Sequence, residues 1–271
     1  MIWVDGVASP TLPADDRGLQ YGDGVFETMR VAGSRVPLLD RHLARLDAGC
    51  ARLGLAAPEP ASLRREIAGA CAGRDAAVLK LIVTRGSGGR GYRAPALAQP
   101  RRVLSLHPAS VWPAEFATDG IRMRTCNTTL AIGGNLAGLK HLNRLEQVQA
   151  RGEWQDDAIV EGLMLDAEGC VVSGTMTNLF VVSGGGLHTP ALDRCGVAGI
   201  ARALVMECAA ALGIPIVVRR IARDALDIAD ALFVCNSVVG LWPIRELDGR
   251  TLGSSRMVGD LVRAGRNRGL A

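Results

Sequence analysis

The sequence is poor in aromatic residues and has no long apolar run, and each shortage argues against a class of protein. Aromatic residues make up only 4% of the 271 residues, and acidic residues interleave with basic ones to leave a net charge of +4. These features disfavour a base-stacking, strongly basic nucleic-acid-binding surface. No stretch of about twenty apolar residues is free of charged or helix-breaking residues, so we expect no membrane span. The mild basicity fits a small anionic ligand better.

Cysteine and histidine show no pattern typical of a disulfide framework or a metal site. The seven cysteines are scattered, odd in number and never spaced C-x-x-C, and the four histidines lack metal-ligand spacing. We therefore expect reduced thiols and no bound metal. Residues Met1–Pro10 lack the basic start and apolar run of a signal peptide, which predicts a cytosolic protein.

Lysine is nearly missing, because Lys80 and Lys140 are the only lysines among 31 basic residues. A bias in base composition that converts surface lysines to arginines leaves lysine mainly where a guanidinium cannot do the same chemistry. Arginine does not lose its proton in proteins, whereas a desolvated lysine can lose it and act as a nucleophile. Lys80 lies in the middle of a predicted strand, and we expect it to have a structural role, with its side chain extending or pairing along one face of that strand. Lys140 follows small residues and is the better candidate for amine chemistry.

The spacing of apolar residues predicts an α+β protein with two domains, residues 1–115 and 121–271. In the strand predicted from Gly24, Phe26, Thr28 and Arg30 share one face. The first long helix is predicted to have Asp40 as its N-cap and Gly54 as its C-cap. A helix predicted over 141–154 would bury Leu142, Leu145 and Val148. Further helices are predicted over 61–72 and 200–212, and strands over 2–4, 77–84, 102–107, 121–127, 159–165, 171–173, 178–182, 214–218 and 231–234.

The loop Gly86–Gly91 (GSGGRG) matches G-x-G-x-x-G and follows a predicted strand. A dinucleotide site also needs a helix that begins at this loop, and Pro95 and Pro100 forbid a long helix there. We therefore reject a Rossmann fold. Two interpretations stay open: a plain surface loop, or a loop that presents Arg90 and Tyr92 to an anionic ligand. Elsewhere, Gly199 before a predicted helix is a weak signal for phosphate binding.

Taken in order, several segments resemble the fold-type IV enzymes that depend on pyridoxal 5'-phosphate (PLP). This D-amino-acid aminotransferase-like family also contains branched-chain aminotransferases and aminodeoxychorismate lyases. The resemblance covers nearly the whole chain. The segment around Lys140 (LAGLKHLNRLEQV), together with RGSGGRGY, is most similar to the lyases. The other segments that carry it are DRGLQYGDGVFETMRV, RHLARL, TNLFVV, GVAGIAR and VCNS.

The resemblance implies a role for individual residues. Lys140 corresponds to the lysine that forms a Schiff base with PLP, and Arg45 to the arginine that binds the PLP phosphate. It also implies a homodimer that acts on a small molecule. The other implied cofactor-binding groups are the backbone N–H groups of Ile200 and Ala201, the hydroxyl of Ser237, and Asn178 of the cofactor-bearing hairpin. The candidates for binding substrate carboxylates are Arg30, Arg90 and Tyr92.

The chain departs from the family at Ser173, where a glutamate usually keeps the pyridine nitrogen protonated. A hydroxyl weakens the ring as an electron sink. This favours an elimination driven by aromatisation, namely conversion of 4-amino-4-deoxychorismate to 4-aminobenzoate and pyruvate, although Thr175 or a water is an alternative partner for the nitrogen. The rival functions are an aminotransferase for D-alanine or branched-chain amino acids, and a non-catalytic protein that binds a phosphorylated ligand.

Overall fold

The computed structural model describes residues 1–270, which form two compact units. The first unit is built from Met1–Val111 and Lys140–Asn143. The second is built from Trp112–Leu139 and the residues from Arg144 onward. Each unit combines helices with a β-sheet, which confirms the predicted α+β class.

The first unit contains a five-stranded antiparallel sheet in the order β2-β1-β5-β4-β3. Its elements are β1 (Ile2–Val4), β2 (Val7–Ala8), α1 (Arg17–Tyr21), β3 (Gly24–Ala32), α2 (Leu39–Leu53), α3 (Pro60–Cys71), β4 (Ala76–Thr84) and β5 (Arg101–Pro108). Burial alternates along β3, with Val25, Glu27 and Met29 buried and Phe26 half-buried. The two faces predicted for this strand are therefore confirmed, because successive side chains of a strand point to opposite faces.

The first long helix begins slightly earlier than predicted. Leu38 is the N-cap of α2, without a side-chain capping bond, and Asp40 lies in the first turn, so the prediction of Asp40 as N-cap is wrong. An acidic side chain in the first turn still interacts favourably with the helix dipole. Gly54 is the left-handed C-cap, as predicted (φ 60°).

The second unit is built on a ten-stranded mixed sheet, in the order β11-β10-β9-β13-β14-β6-β7-β8-β12, with β15 paired to β14. Its strands are β6 (Ile121–Thr125), β7 (Ile159–Leu165), β8 (Cys170–Gly174), β9 (Asn178–Ser183), β10 (Gly186–Pro190), β11 (Ile216–Arg219), β12 (Ile221–Ala222), β13 (Ala231–Asn236), β14 (Gly240–Leu247) and β15 (Arg250–Thr251). Its helices are α4 (Glu115–Thr118), α5 (Leu145–Arg151), α6 (Ile200–Ala211) and α7 (Arg256–Arg266). The central strands are almost fully buried.

Helix α5 is shorter than predicted, and its apolar side chains point outward. It begins at Leu145 rather than His141, and Leu145 and Val148 are exposed by 68% and 65%. The prediction that both are buried is therefore wrong. A repeat of apolar residues predicts an apolar helix face, but it does not show that another element packs against that face. Within residues 1–270, no helix is both long and apolar enough to cross a bilayer.

Candidate active site

Lys140 lies in an extended segment that pairs with β3. Phe26 donates its N–H to the carbonyl of Lys140 at 3.0 Å, and Leu142 donates its N–H to the carbonyl of Gly24 at 3.0 Å. Lys140 was predicted to lie at the start of a helix, but α5 begins only at Leu145. The carbonyl of Lys140 and the N–H of Leu142 are bonded to β3 instead. The backbone of Gly138, two residues before Lys140, is also hydrogen-bonded: its N–H donates to Gly196 O at 3.1 Å.

The amine of Lys140 lies over an aromatic ring. Its Nζ is 4.2 Å from the centroid of the Phe26 ring, on the half-buried face of β3 that also carries Thr28 and Arg30. The face of an aromatic ring attracts an ammonium group. Lys140 Nζ therefore has the Phe26 ring as a neighbour.

Arg45 is fixed by a buried carboxylate on β3. Glu27 is only 1% exposed and accepts hydrogen bonds from Nε of Arg45 at 2.8 Å and from Nδ1 of His42 at 2.7 Å. The strand alternation placed Glu27 on the inner face, where an anion needs a cationic partner. Glu27 was nevertheless missed as a site residue, and the structure shows that it orients the guanidinium that the resemblance assigns to phosphate binding.

The Glu27 carboxyl gives the first unit a stability that depends on pH. Burial raises the pKa of Glu27, but hydrogen bonds from Arg45 and His42 outweigh burial and bring the pKa below its ordinary value of 4.5. Since the folded pKa is the lower one, the stabilisation is complete above the unfolded pKa and is lost as the pH falls through the folded pKa.

We therefore expect Glu27→Gln to lower the free energy of unfolding by about 3 kcal/mol at pH 7, because it removes the buried negative charge that accepts hydrogen bonds from Arg45 and His42. The deficit relative to the wild type should shrink as the pH falls below about 4.5. Denaturant unfolding of both proteins from pH 7 to pH 3.5 measures it. A deficit that stays constant over this range would show that the Glu27 charge is not the cause.

The glycine-rich loop is tethered by Arg17 rather than followed by a helix. The buried guanidinium of Arg17 donates to Gly91 O and Tyr92 O, each at 3.0 Å, and to Asp23 at 3.0 Å. The Tyr92 side chain is 89% exposed and packs edge-on against Tyr21, at 5.6 Å between centroids. The absence of a helix within residues 86–100 supports the rejection of a dinucleotide site. Arg17 was not among the predicted site residues.

In the second unit, a fully buried carboxylate organises the turn between β8 and β9. Glu161 on β7 is 0% exposed and accepts hydrogen bonds from the Thr175 N–H at 2.9 Å, the Thr175 hydroxyl at 2.5 Å and the Thr177 hydroxyl at 2.8 Å. A Cβ on Gly174 would lie 2.7 Å from the Glu161 carboxylate, so glycine is needed for this close approach. Glu161 was missed in the sequence, although a carboxylate within the apolar run IVEGLML was a signal.

The two hydroxyls considered as partners of a pyridine nitrogen already donate their protons. Ser173 donates to Gly174 O at 2.8 Å, and Thr175 donates to Glu161. Both oxygens keep lone pairs, but neither carries a negative charge. Ser173 therefore does not reproduce the carboxylate that the family usually has at this position.

Asn178, the first residue of β9, supports the start of helix α6. Its Nδ2 donates to Val197 O at 2.9 Å, and a Cβ on Gly199 would lie only 2.0 Å from its Oδ1. Gly199 is the N-cap of α6 and provides no side-chain capping bond. The first backbone N–H groups of the helix, including those of Ile200 and Ala201, are therefore not used by a cap.

These groups fit a cofactor that has a phosphate and an aldehyde. The start of α6 has no side-chain cap, and its N-cap Gly199 lies too close to Asn178 for any larger residue. Free N–H groups at a helix start suit a phosphate. An oriented guanidinium at Arg45 also suits an anionic group, and the amine of Lys140 suits an aldehyde. Ser237 lies half-buried in the turn after β13, where Asn236 accepts the N–H groups of Val238 and Val239. Within residues 1–270, no three His, Cys, Asp or Glu side chains are grouped as a metal would require.

Comparison with known proteins identifies one family over most of the chain. The model of the family described as amino-transferase class IV matches residues 24–247. An aminodeoxychorismate lyase from Vibrio harveyi is 31% identical over 244 residues, which covers 90% of each protein. A putative branched-chain-amino-acid aminotransferase from Methanocaldococcus jannaschii is 32% identical over 253 residues, covering 92% of this chain and 86% of that protein.

A solved structure is more similar still. The crystal structure of 4-amino-4-deoxychorismate lyase from Pseudomonas aeruginosa superposes with a TM-score of 0.95 at 47% sequence identity, and the match covers 98% of both chains. The predicted fold class is thereby confirmed at the level of the whole chain.

Proposed function

The chain belongs to the class IV aminotransferase family, and on that premise we propose that it is a PLP-dependent lyase that converts 4-amino-4-deoxychorismate to 4-aminobenzoate and pyruvate. The observation that carries this proposal is the 47% identity to a lyase of that name over 98% of both chains. Full-length similarity to a second lyase, from Vibrio harveyi, supports it.

We assign the cofactor-binding roles as the family resemblance implies them. Lys140 holds PLP covalently, and Arg45, Ser237 and the N–H groups of Ile200 and Ala201 bind its phosphate. Asn178 supports the start of α6 through Val197, as its hydrogen bond shows. When bound, PLP would supply an electron sink for the carbon that carries the 4-amino group of the substrate.

Lys140 is the acid–base group of the reaction. Its neutral amine removes the proton at C4 of the substrate, the C3–O bond breaks, and the enolpyruvyl oxygen leaves with the bonding electrons. The ring becomes aromatic, and the departing enolate takes up a proton to give pyruvate. The two products contain all atoms of the substrate, so no water, oxidant or reductant is consumed. The Phe26 ring, 4.2 Å from Nζ, stabilises the ammonium that the proton transfer creates.

The closest rival is an aminotransferase of the same fold, favoured by the 32% identity to a putative branched-chain enzyme. A partition experiment separates the two functions. PLP-loaded protein is given aminodeoxychorismate in one sample and D-alanine or a branched-chain amino acid in another. We expect release of 4-aminobenzoate in the first sample and little amination of the cofactor in the second. The opposite pattern would assign the protein to the aminotransferases.

Ser173 is the residue that we hold responsible for this preference. Ser173→Glu supplies an anion for a protonated pyridine nitrogen, which strengthens the electron sink that amino-group transfer requires. We expect the rate of cofactor amination by amino acids to rise about tenfold, equivalent to about 1.4 kcal/mol in the barrier.

The matched control is Ser173→Gln, which has nearly the same size but no charge. Stopped-flow absorbance of the bound cofactor measures the amination rate in all three proteins. An equal increase in both variants would attribute the effect to side-chain size. No increase in the glutamate variant, with the cofactor still bound, would show that Ser173 does not set the preference.

We also propose a cytosolic homodimer, as the family resemblance implies. The chain has a mass of 28.5 kDa. Sedimentation equilibrium should therefore give twice this mass, and the monomer mass would contradict the proposal.

A further inference from the structure

Asp23, the residue before β3, binds two arginines with one carboxylate. Its Oδ2 accepts hydrogen bonds from Nε of Arg85 at 2.7 Å and from Nε of Arg17 at 3.0 Å, and its Oδ1 accepts one from Nη2 of Arg85 at 3.0 Å. Burial raises the pKa of Asp23, but the hydrogen bonds from Arg85 and Arg17 outweigh burial and bring the pKa below its ordinary value of 3.8. The carboxylate is therefore charged at neutral pH, and its charge strengthens these bonds.

Arg85 connects this carboxylate to the end of helix α2. Its Nη1 donates to Gly54 O at 2.9 Å, and its Nη2 donates to Leu53 O at 2.8 Å. These carbonyls lie at the C-terminus of α2, where a positive charge is favourable. The same helix carries Arg45, which is bonded to the buried carboxylate of β3. Helix α2 is therefore held at its middle and at its C-terminal end.

Arg17 connects the same carboxylate to the glycine-rich loop. Its guanidinium donates to the carbonyls of Gly91 and Tyr92, and its backbone N–H donates to Gly86 O at 2.9 Å. A Cβ on Gly88 would lie 2.8 Å from Cδ of Arg17, so the loop packs directly along this side chain. The position of Arg17 therefore sets the position of the loop backbone.

The backbone at Asp23 continues into the contact that holds the segment of Lys140. The carbonyl of Asp23 accepts the N–H of Arg85 at 3.0 Å, and the carbonyl of the next residue, Gly24, accepts the N–H of Leu142 at 3.0 Å. Asp23 thus links three elements of the first unit: the glycine-rich loop, helix α2 and the segment of Lys140.

We propose that Asp23 is a positioning residue that couples the order of the glycine-rich loop to cofactor binding. This inference rests on the proposed function, in which Arg45 binds the cofactor phosphate and Lys140 binds the aldehyde. Because coupling between two sites is reciprocal, a cofactor that fixes α2 and the lysine segment also orders the loop, and an ordered loop raises the affinity for the cofactor. The coupling holds the exposed side chains of Arg90 and Tyr92 in one position when the cofactor is bound.

The test uses Asp23→Asn, which keeps the shape of the side chain and removes its charge. Trypsin probes the loop, because Arg90 and Arg93 are exposed cleavage sites within it. Mass spectrometry gives the cleavage rate at these sites, and titration of the cofactor absorbance gives the dissociation constant of PLP. We expect saturating PLP to slow cleavage of the wild-type loop about tenfold. In Asp23→Asn, PLP should protect the loop less than about twofold, and the dissociation constant should rise about tenfold.

Two further variants separate this coupling from a loop that is merely loose. Ser87→Ala removes the bond from the Ser87 hydroxyl to Asp15 at 2.9 Å, which tethers the loop without Asp23. Its loop should be cleaved faster, but PLP should still slow cleavage about tenfold and bind as in the wild type. Arg85→Met removes the bonds to α2 and keeps those of Arg17 to the loop. Its cleavage rate without PLP should stay near that of the wild type, whereas the protection by PLP should be lost.

Three results would overturn the proposal. The first is a wild-type loop that PLP does not protect, and the second is an Asp23→Asn protein that keeps both the protection and the affinity. The third is an equal loss of protection in Ser87→Ala, which would attribute the effect to any loosening of the loop. If Asp23→Asn fails to fold, Arg85→Met is judged by the same criteria. Neither measurement uses the substrate, so a wild type that binds PLP but releases no 4-aminobenzoate would refute the lyase function alone.

Discussion

Replacing Lys140 with alanine is expected to abolish covalent cofactor binding and to reduce turnover by more than about 10⁴-fold. The variant loses both the group that holds the cofactor and the base that removes the C4 proton. The only other lysine, Lys80, extends from a different strand, β4, and we expect that it does not replace Lys140. The main chain of residue 140 keeps its bond from Phe26, so the fold should persist.

Borohydride reduction followed by peptide mapping measures the attachment directly. The wild type and Lys80→Met should both carry the reduced cofactor on residue 140, and Lys140→Ala should carry none. The Lys80 variant serves here as a control for attachment only. Retained turnover in Lys140→Ala, or an adduct mapped to residue 80, would refute the assignment of Lys140.

Replacing Glu161 with alanine is expected to lower the free energy of unfolding by roughly 3–5 kcal/mol. The carboxylate accepts bonds from the N–H and hydroxyl of Thr175, the N–H of Met176 and the hydroxyl of Thr177. Removing it takes this acceptor from one buried donor, the Thr177 hydroxyl, and from three partly buried ones, and each unsatisfied group is unfavourable. The turn that precedes Asn178 should loosen, and PLP affinity should fall with it.

Denaturant unfolding and cofactor titration measure both effects. Glu115→Ala is the matched control, because Glu115 is an exposed carboxylate of the same unit. Glu161→Asp should recover part of the stability, since it keeps the anion but shortens its reach. A Glu161→Ala protein as stable as the control would contradict the view that this carboxylate holds the turn.

Local patterns predicted most of the secondary structure because they depend on residues close in the sequence. The alternation in β3, the apolar stripe of α2 and the left-handed glycine at residue 54 follow from this chemistry. The helix predicted from His141 failed because residues 140–143 are bonded to β3, more than a hundred residues away in sequence. Such a partner is invisible to an argument from periodicity.

The site was predicted unevenly for the same reason. Lys140 and Arg45 were identified because composition and family resemblance mark them. Glu27 and Glu161 act through contacts with residues that are distant in the sequence. Their sequence neighbours gave only one signal, a carboxylate among apolar residues. The roles assigned to individual site residues and the domain boundary between residues 115 and 121 stay predictions.

The central claim is tested most directly by measuring both products of one reaction. PLP-loaded protein is incubated with aminodeoxychorismate, and 4-aminobenzoate and pyruvate are quantified in the same sample over time. We predict that the two products appear in a 1:1 ratio and that neither forms with Lys140→Ala. Intact substrate after prolonged incubation with cofactor-bound wild-type protein would contradict the lyase function.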